Sequence, residues 1–291
     1  MSDLSAKNMN MNMNMNMGTM SAIAGGGGTR VRFNTQDFRK KLQGASGSLA
    51  PVLPGQAALM PTFPLLWDAE LQSYVYLREF LETPANATWF TTLRAAAGTP
   101  PQNTTAGGGS TALDDEILAV LDAAGDREDR FSEIIEQHDA EGAISYYLGM
   151  LMIDPGKHPN TYLLIRVVRR IGEMVVMCLK DQIKFPRPSQ FCPAIVPMID
   201  PPMTSSYPSG HALQSRLITL ALKAARPNVP HVGLLLDYLA QRVAENRIIA
   251  GLHFPSDNQA GINVADALFP MLQRGSTGKF AALVAAAAAE A

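Results

Sequence analysis

The sequence predicts an all-α fold, a helical bundle entered through an irregular Pro/Gly-rich N-terminal region. Two observations carry that expectation. From Leu113 onward apolar residues recur at helical spacing in one segment after another. The clearest is 159–185, where Leu164, Val167, Val168, Ile171, Met174, Val175 and Cys178 form one stripe. No alternating apolar and polar run is long enough to make a half-buried strand.

Taken in order, residues 1–30 read as a disordered low-complexity tail, with "MNMNMNMNM" and a flexible "GGGG" at 25–28. Residues 31–66, rich in Pro and Gly, read as an irregular wrap. The segment 68–82 predicts a helix that Thr83-Pro84 ends. A loop from Ala95 to Thr111 follows, with Asn-Thr-Thr at 103–105, a glycosylation pattern only in a secreted chain. The next helix opens on Asp114, Asp115 and Glu116, acids that suit the positive end of a helix dipole. Residues 126–153 continue the helical pattern, with His138 and Glu141 read as a solvated face rather than a metal pair. After the long helix come seven prolines between Pro186 and Pro208, which stiffen the loop. Helices are expected at 210–225, 231–251 and 257–274. The whole of 31–275 reads as one α-helical domain, and 276–291 as an Ala-rich C-terminal tail.

Bulk properties narrow the function. Among 291 residues, 24 Lys plus Arg stand against 26 Asp plus Glu, a net charge of -2 that gives no footing for nucleic acid. The longest uncharged stretch, Leu42–Trp67, is broken by Pro51, Pro54, Pro61 and Pro64, so no membrane-spanning helix is expected. The N-terminus lacks a basic region followed by an apolar run, so no signal peptide is expected and the protein reads as soluble, cytoplasmic or otherwise. Cys178 and Cys192 then read as free thiols. No signal bears on oligomeric state.

Three segments carry chemistry. "KDQIKFPRP" puts six residues between Lys180 and Arg187-Pro188. "YPSGH" gives Pro208, Ser209, Gly210 and His211. "NRIIAGLHFPSD" spaces Arg247, His253 and Asp257 by five and three residues. Each alone is ordinary: a charged helix end, a capped turn, a histidine after a helix. Together, in this order, these ten positions resemble the signature of the superfamily that joins type-2 phosphatidic acid phosphatases, bacterial class A acid phosphatases and vanadium haloperoxidases. The resemblance spans residues 159–270. One position departs: Asn246 stands where that family usually has Ser.

The resemblance implies a phosphate or vanadate site built from Lys180, Arg187, Ser209, Gly210 and Arg247, with His253 as nucleophile and His211 as acid toward the leaving oxygen. Physical chemistry agrees with that division. Three cations and the N–H groups of a helix N-terminus suit an oxyanion, and Gly210 lets the backbone approach it. Asp257, four residues after His253, can accept one ring N–H and leave the other nitrogen free. Two activities fit such a cage. A soluble, metal-independent phosphatase would need no cofactor and act on a small phosphorylated substrate through a phosphohistidine. A vanadium haloperoxidase would hold vanadate on His253 and use halide and peroxide. The compact spacing, 36 positions from His211 to Arg247, favours the phosphatase. A non-enzymatic oxyanion-binding protein comes last, because binding alone does not need His211, His253 and Asp257 together.

Overall fold

The computed structural model describes residues 67–102, 112–226, 230–274 and 278–290. These all fall in one unit, Thr62–Ala291. The expected disordered tail, the irregular wrap over 31–66 and the Asn-Thr-Thr pattern lie outside the described residues. Among the described residues the structure is helical throughout, with no strand, as the apolar periodicity requires.

The helices are α1 (Ala69–Glu82), α2 (Trp89–Ala97), α3 (Ala112–Ala123), α4 (Arg127–Glu136), α5 (Ala140–Met150), α6 (Pro159–Ile183), the single turn α7 (Pro188–Phe191), α8 (Gly210–Ala225), α9 (Pro230–Ile249), α10 (Pro255–Leu272) and α11 (Lys279–Ala288). The long helix α6 lies in the core. Its stripe of Leu164, Val167, Val168, Ile171, Val175 and Leu179 is buried, and α1, α8 and α11 pack on it. Each such aliphatic side chain contributes roughly 1.5–3 kcal/mol on leaving water. Helix α8 also packs on α9 and α10, so it forms the hub that joins the three motif-bearing segments.

Three local features go beyond what the helical pattern of the sequence specifies. Helix α2 stands in a segment with no helix forecast, and it buries Leu93 and Ala97 where it meets α10. The run over 126–153 is two helices, not one. Asp139 caps α5 by accepting the Gly142 N–H at 2.8 Å, and the chain doubles back so tightly that a Cβ on residue 142 would sit 1.7 Å from the Glu136 carbonyl oxygen. The Ala-rich segment ends in a docked helix: Phe280, Leu283 and Ala287 of α11 are buried, and the Glu290 carboxylate accepts the Asn160 and Thr161 N–H groups at the start of α6. Glu141 does not partner His138. It accepts two bonds from Arg166, at 2.5 and 2.6 Å, in a belt of paired charges that also holds Glu70, Arg169, Arg170 and Glu173. No helix among the described residues is long and apolar enough to cross a membrane.

Candidate active site

The three motif segments meet because each carries an aromatic ring next to its chemistry. Phe185 precedes Arg187, Tyr207 precedes Ser209, and Phe254 follows His253. Phe185 lies 6.3 Å from Tyr207, 6.0 Å from Phe254 and 5.3 Å from Phe191, centroid to centroid. Such ring pairs add about 0.5–1.5 kcal/mol beyond area burial. The cluster fixes the backs of all three segments, so their polar groups are presented on a common side. Main-chain bonds complete the tie: Ser206 N–H donates to Phe185 O at 2.8 Å, and Ser209 N–H to Asp257 O at 2.9 Å.

A cavity of about 650 Å³ opens beside this cluster, and Arg187, Arg247, His211 and His253 all line it. A second cavity, about 670 Å³, shares Arg187 and Pro202 with the first and is lined by Lys180 and Lys184. The two histidines and two arginines expected to converge therefore do so. Lys180 approaches from the neighbouring side, and Ser209 and Gly210, which open α8, line neither cavity.

His253 is buried, and its Nδ1 lies 3.0 Å from Asp257 Oδ2. That carboxylate oxygen also accepts the Phe254 N–H at 2.9 Å and the Ser206 hydroxyl. Asp257 therefore both caps α10 and fixes the imidazole as the Nδ1–H tautomer. The opposite nitrogen, Nε2, stands 3.5 Å from Arg187 Nη1 and keeps its lone pair. Burial, followed by the charges of Lys180, Arg187 and Arg247, holds His253 well below the usual imidazole range, so it is neutral. Burial raises Asp257, while the Ser206 and Phe254 hydrogen bonds and the nearby cations pull it down. Burial and then Arg187 lower Lys180.

The cations differ in how many donors they have left. Lys180 Nζ donates to the Ser205 and Ser206 carbonyls. Arg187 donates through Nε to Pro202 O and Thr204 O, through Nη1 to Leu252 O, and through Nη2 to Thr204 Oγ1. Both side chains therefore fasten the 202–206 loop as well as charging the site. Arg247 is different. It is 0% exposed, Nη2 donates to Ile134 O at 3.2 Å, and Nε and Nη1 have no partner. Two buried, unspent donors cost about 1–3 kcal/mol each until something accepts from them. Burial pushes Arg187 and Arg247 down to about 10, so both remain charged at neutral pH.

His211, half-buried in the first turn of α8, has Nε2 3.1 Å from the Gln137 carbonyl at the C-terminal end of α4. Burial, then Arg247 and His253, push this imidazole well below its usual range, against the Gln137 and Asp139 carbonyls, which favour the cation. Helix α4 thus supplies a carbonyl to each of Arg247 and His211. Asn246 holds it in register. Its Nδ2 donates to Gln137 Oε1 at 2.8 Å and to Glu133 Oε2 at 3.1 Å, and its Oδ1 accepts from Arg130 at 3.1 Å. Asn246 is therefore an anchor between α9 and α4.

Ser206, Gln137 and Glu116 were not anticipated as site residues. Ser206 is 0% exposed on Asp257. Glu116, read as a helix-dipole acid, reaches across to accept the Ser256 N–H and hydroxyl at 3.0 and 2.9 Å, at the start of α10. Gly261 permits the α8–α10 crossing, since a Cβ there would lie 2.6 Å from Ser209 O and 3.0 Å from Leu213 N. Among the described residues no three His, Cys, Asp or Glu side chains gather as a metal cluster.

No family model matches the sequence, and no curated protein matches it. Among solved structures, the chain is similar to a crystal structure described as the first transmembrane PAP2 type phosphatidylglycerolphosphate phosphatase from Bacillus subtilis. The identity is 18%, the match covers 66% of this chain and 94% of that one, and the TM-score is 0.44. A likeness of that size assigns no activity.

Proposed function

We propose that the protein is a soluble phosphatase that hydrolyses phosphomonoesters through a phosphohistidine on His253, with protein cations in place of divalent metal. The observation that carries this reading is a single cavity in which His253 offers Nε2, opposite its Asp257-bound Nδ1, beside the unspent donors of Arg247 and the charge of Arg187. An anion there satisfies groups that otherwise stay buried and unpaired. The belt of paired charges on α6 supports a chain that meets water rather than lipid.

In the first step the His253 Nε2 lone pair forms the P–N bond as the ester P–O bond breaks, and His211 gives its proton to the departing alkoxide. In the second, His211 takes a proton from water, whose oxygen attacks phosphorus and breaks the P–N bond, releasing inorganic phosphate. Arg187, Arg247 and Lys180 stabilise the charge on the transferring phosphoryl oxygens. His211 is neutral in the free protein, so the charge of the bound dianion is what raises its proton affinity for the first step. Vanadate, if bound, would be held by Arg187, Arg247 and His253 and would supply an oxyanion that competes with phosphate for the same groups.

The test is hydrolysis of a chromogenic phosphomonoester by metal-stripped protein, with and without vanadate. Turnover that survives chelation and is lost to vanadate supports the reading. Halide oxidation on vanadate reconstitution without any phosphatase activity overturns it.

A further inference from the structure

A phosphate would fill only part of the 650 Å³ cavity, whose size suits a drug-sized molecule rather than an inorganic ion. The remainder has a definite chemistry. Its walls are Ile135, Met198, Ile199 and Leu252, and its lining also includes His138 and Asp200. Ile135 is 41% exposed, so apolar surface is available to a ligand. Ile134, Ile249 and Leu252 form a buried cluster with Met198 and Ile199 packed against it, which gives the wall a stiff backing. Asp200 is exposed, and no hydrogen bond or ion pair to it is found among the described residues. The cationic groups of this cavity, Arg187 and Arg247, belong to the phosphate seat; among the described residues the only acid in its lining is Asp200.

We propose that this cavity selects phosphomonoesters of a compact apolar alcohol, aryl or branched alkyl, that carries no second anionic group, and that Asp200 enforces the exclusion. The proposal rests on the phosphatase reading for the position of the phosphate. The apolar wall accepts the body of the leaving group, and the Asp200 carboxylate in the same lining repels a second phosphate or carboxylate on it while tolerating an amine. Bisphosphates and nucleoside polyphosphates are thus poor ligands, for want of a second cationic seat on this side of Arg187.

Phosphonates test this without turnover, because their P–C bond is not hydrolysed. Calorimetry would compare inorganic phosphate, methylphosphonate, phenylphosphonate, and phenylphosphonates bearing a para-carboxylate or a para-aminomethyl group, on wild type and Asp200→Asn. Phenylphosphonate is expected to bind at least about tenfold more tightly than methylphosphonate. The carboxylate analogue is expected to bind at least about threefold more weakly than the aminomethyl one, a gap that Asp200→Asn closes. If phosphate binds but phenyl gives no gain over methyl, or the charge preference survives Asp200→Asn, the substrate-class proposal is overturned and the phosphatase reading stands. If neither phosphate nor any phosphonate binds, both fall.

Discussion

Arg187 Nη1 stands 3.5 Å from His253 Nε2, on the ring edge opposite the one that Asp257 holds at 3.0 Å. The imidazole is thereby oriented from both sides, with the Nε2 lone pair facing the Arg187 guanidinium, a charge that would hold an anion within its reach. That relationship depends on the carboxylate. Asp257→Asn keeps the volume but cannot act as the same acceptor for His253 Nδ1–H, the Ser206 hydroxyl and the Phe254 N–H. A fall in kcat of about three orders of magnitude is expected, by analogy with the loss of an orienting carboxylate in hydrolytic triads. Steady-state kinetics check this, with helical content measured alongside.

Arg247 separates binding from stability. Its guanidinium is fully buried with one protein hydrogen bond, to Ile134 O, and two empty donors. Replacing a buried charge by an apolar side chain of similar size is often neutral or stabilising. Arg247→Met is therefore expected to leave Tm unchanged or raise it, while weakening phosphate and vanadate binding at least about a hundredfold. Thermal melts and inhibition constants on the same preparation measure the two effects.

Gly261 tests the crossing that brings Ser209 and Asp257 together. Gly261→Ala places a methyl group 2.6 Å from Ser209 O, a clash that requires α8 and α10 to part. A loss of about 1–3 kcal/mol is expected, with reduced turnover. Gly149 in α5 has nothing within 4 Å of an added Cβ, so Gly149→Ala serves as the control and is expected to stabilise by up to about 1 kcal/mol. Urea denaturation compares the two.

The two imidazoles set a sign for the pH dependence. Both His211 and His253 have their folded-state proton affinity lowered by burial and neighbouring cations. The unfolded chain takes up these protons near pH 6.5 and the folded chain does not, so stability falls as pH drops below that value. Each such proton contributes about 1.4 kcal/mol per pH unit. Asp257, raised by burial to about 6, works in the opposite direction as pH falls from about 6 to 3.8 and there offsets one of the two imidazoles. Tm is therefore expected to decline from pH 7 to pH 5. Phosphate, whose charge favours imidazolium, is expected to blunt the decline and to move the His211 NMR titration upward. A Tm that rises toward pH 5 would contradict this electrostatic picture.

Much of this site was legible in the sequence because its chemistry sits in short contiguous motifs. Arg187, His211, Arg247 and His253 are expected on one cavity because their motifs together resemble a known signature, and α6 is read from its apolar stripe. What stayed hidden depends on main-chain atoms and on side chains far apart in the chain. The Gln137 carbonyl that meets His211 leaves no mark in side-chain identity, since any residue supplies a carbonyl. The break between α4 and α5 is signalled by Asp139, a residue type that favours helix N-caps, and by Gly142, which weakens a helix interior, but the unbroken polar run on either side masks it. That Lys180 donates to the Ser205 and Ser206 carbonyls follows from the path of the 186–208 loop, whose seven prolines define its stiffness but not its course.

The account stands or falls on the nucleophile. Rapid quenching of the protein with a radiolabelled phosphomonoester, under alkaline conditions that preserve phosphohistidine, locates the covalent label by peptide mass spectrometry. Label on His253, absent in His253→Ala and accumulating in His211→Ala when an activated aryl leaving group is used, is the expected result. Phosphatase activity with the label on another residue, or full turnover by His253→Ala, would contradict it.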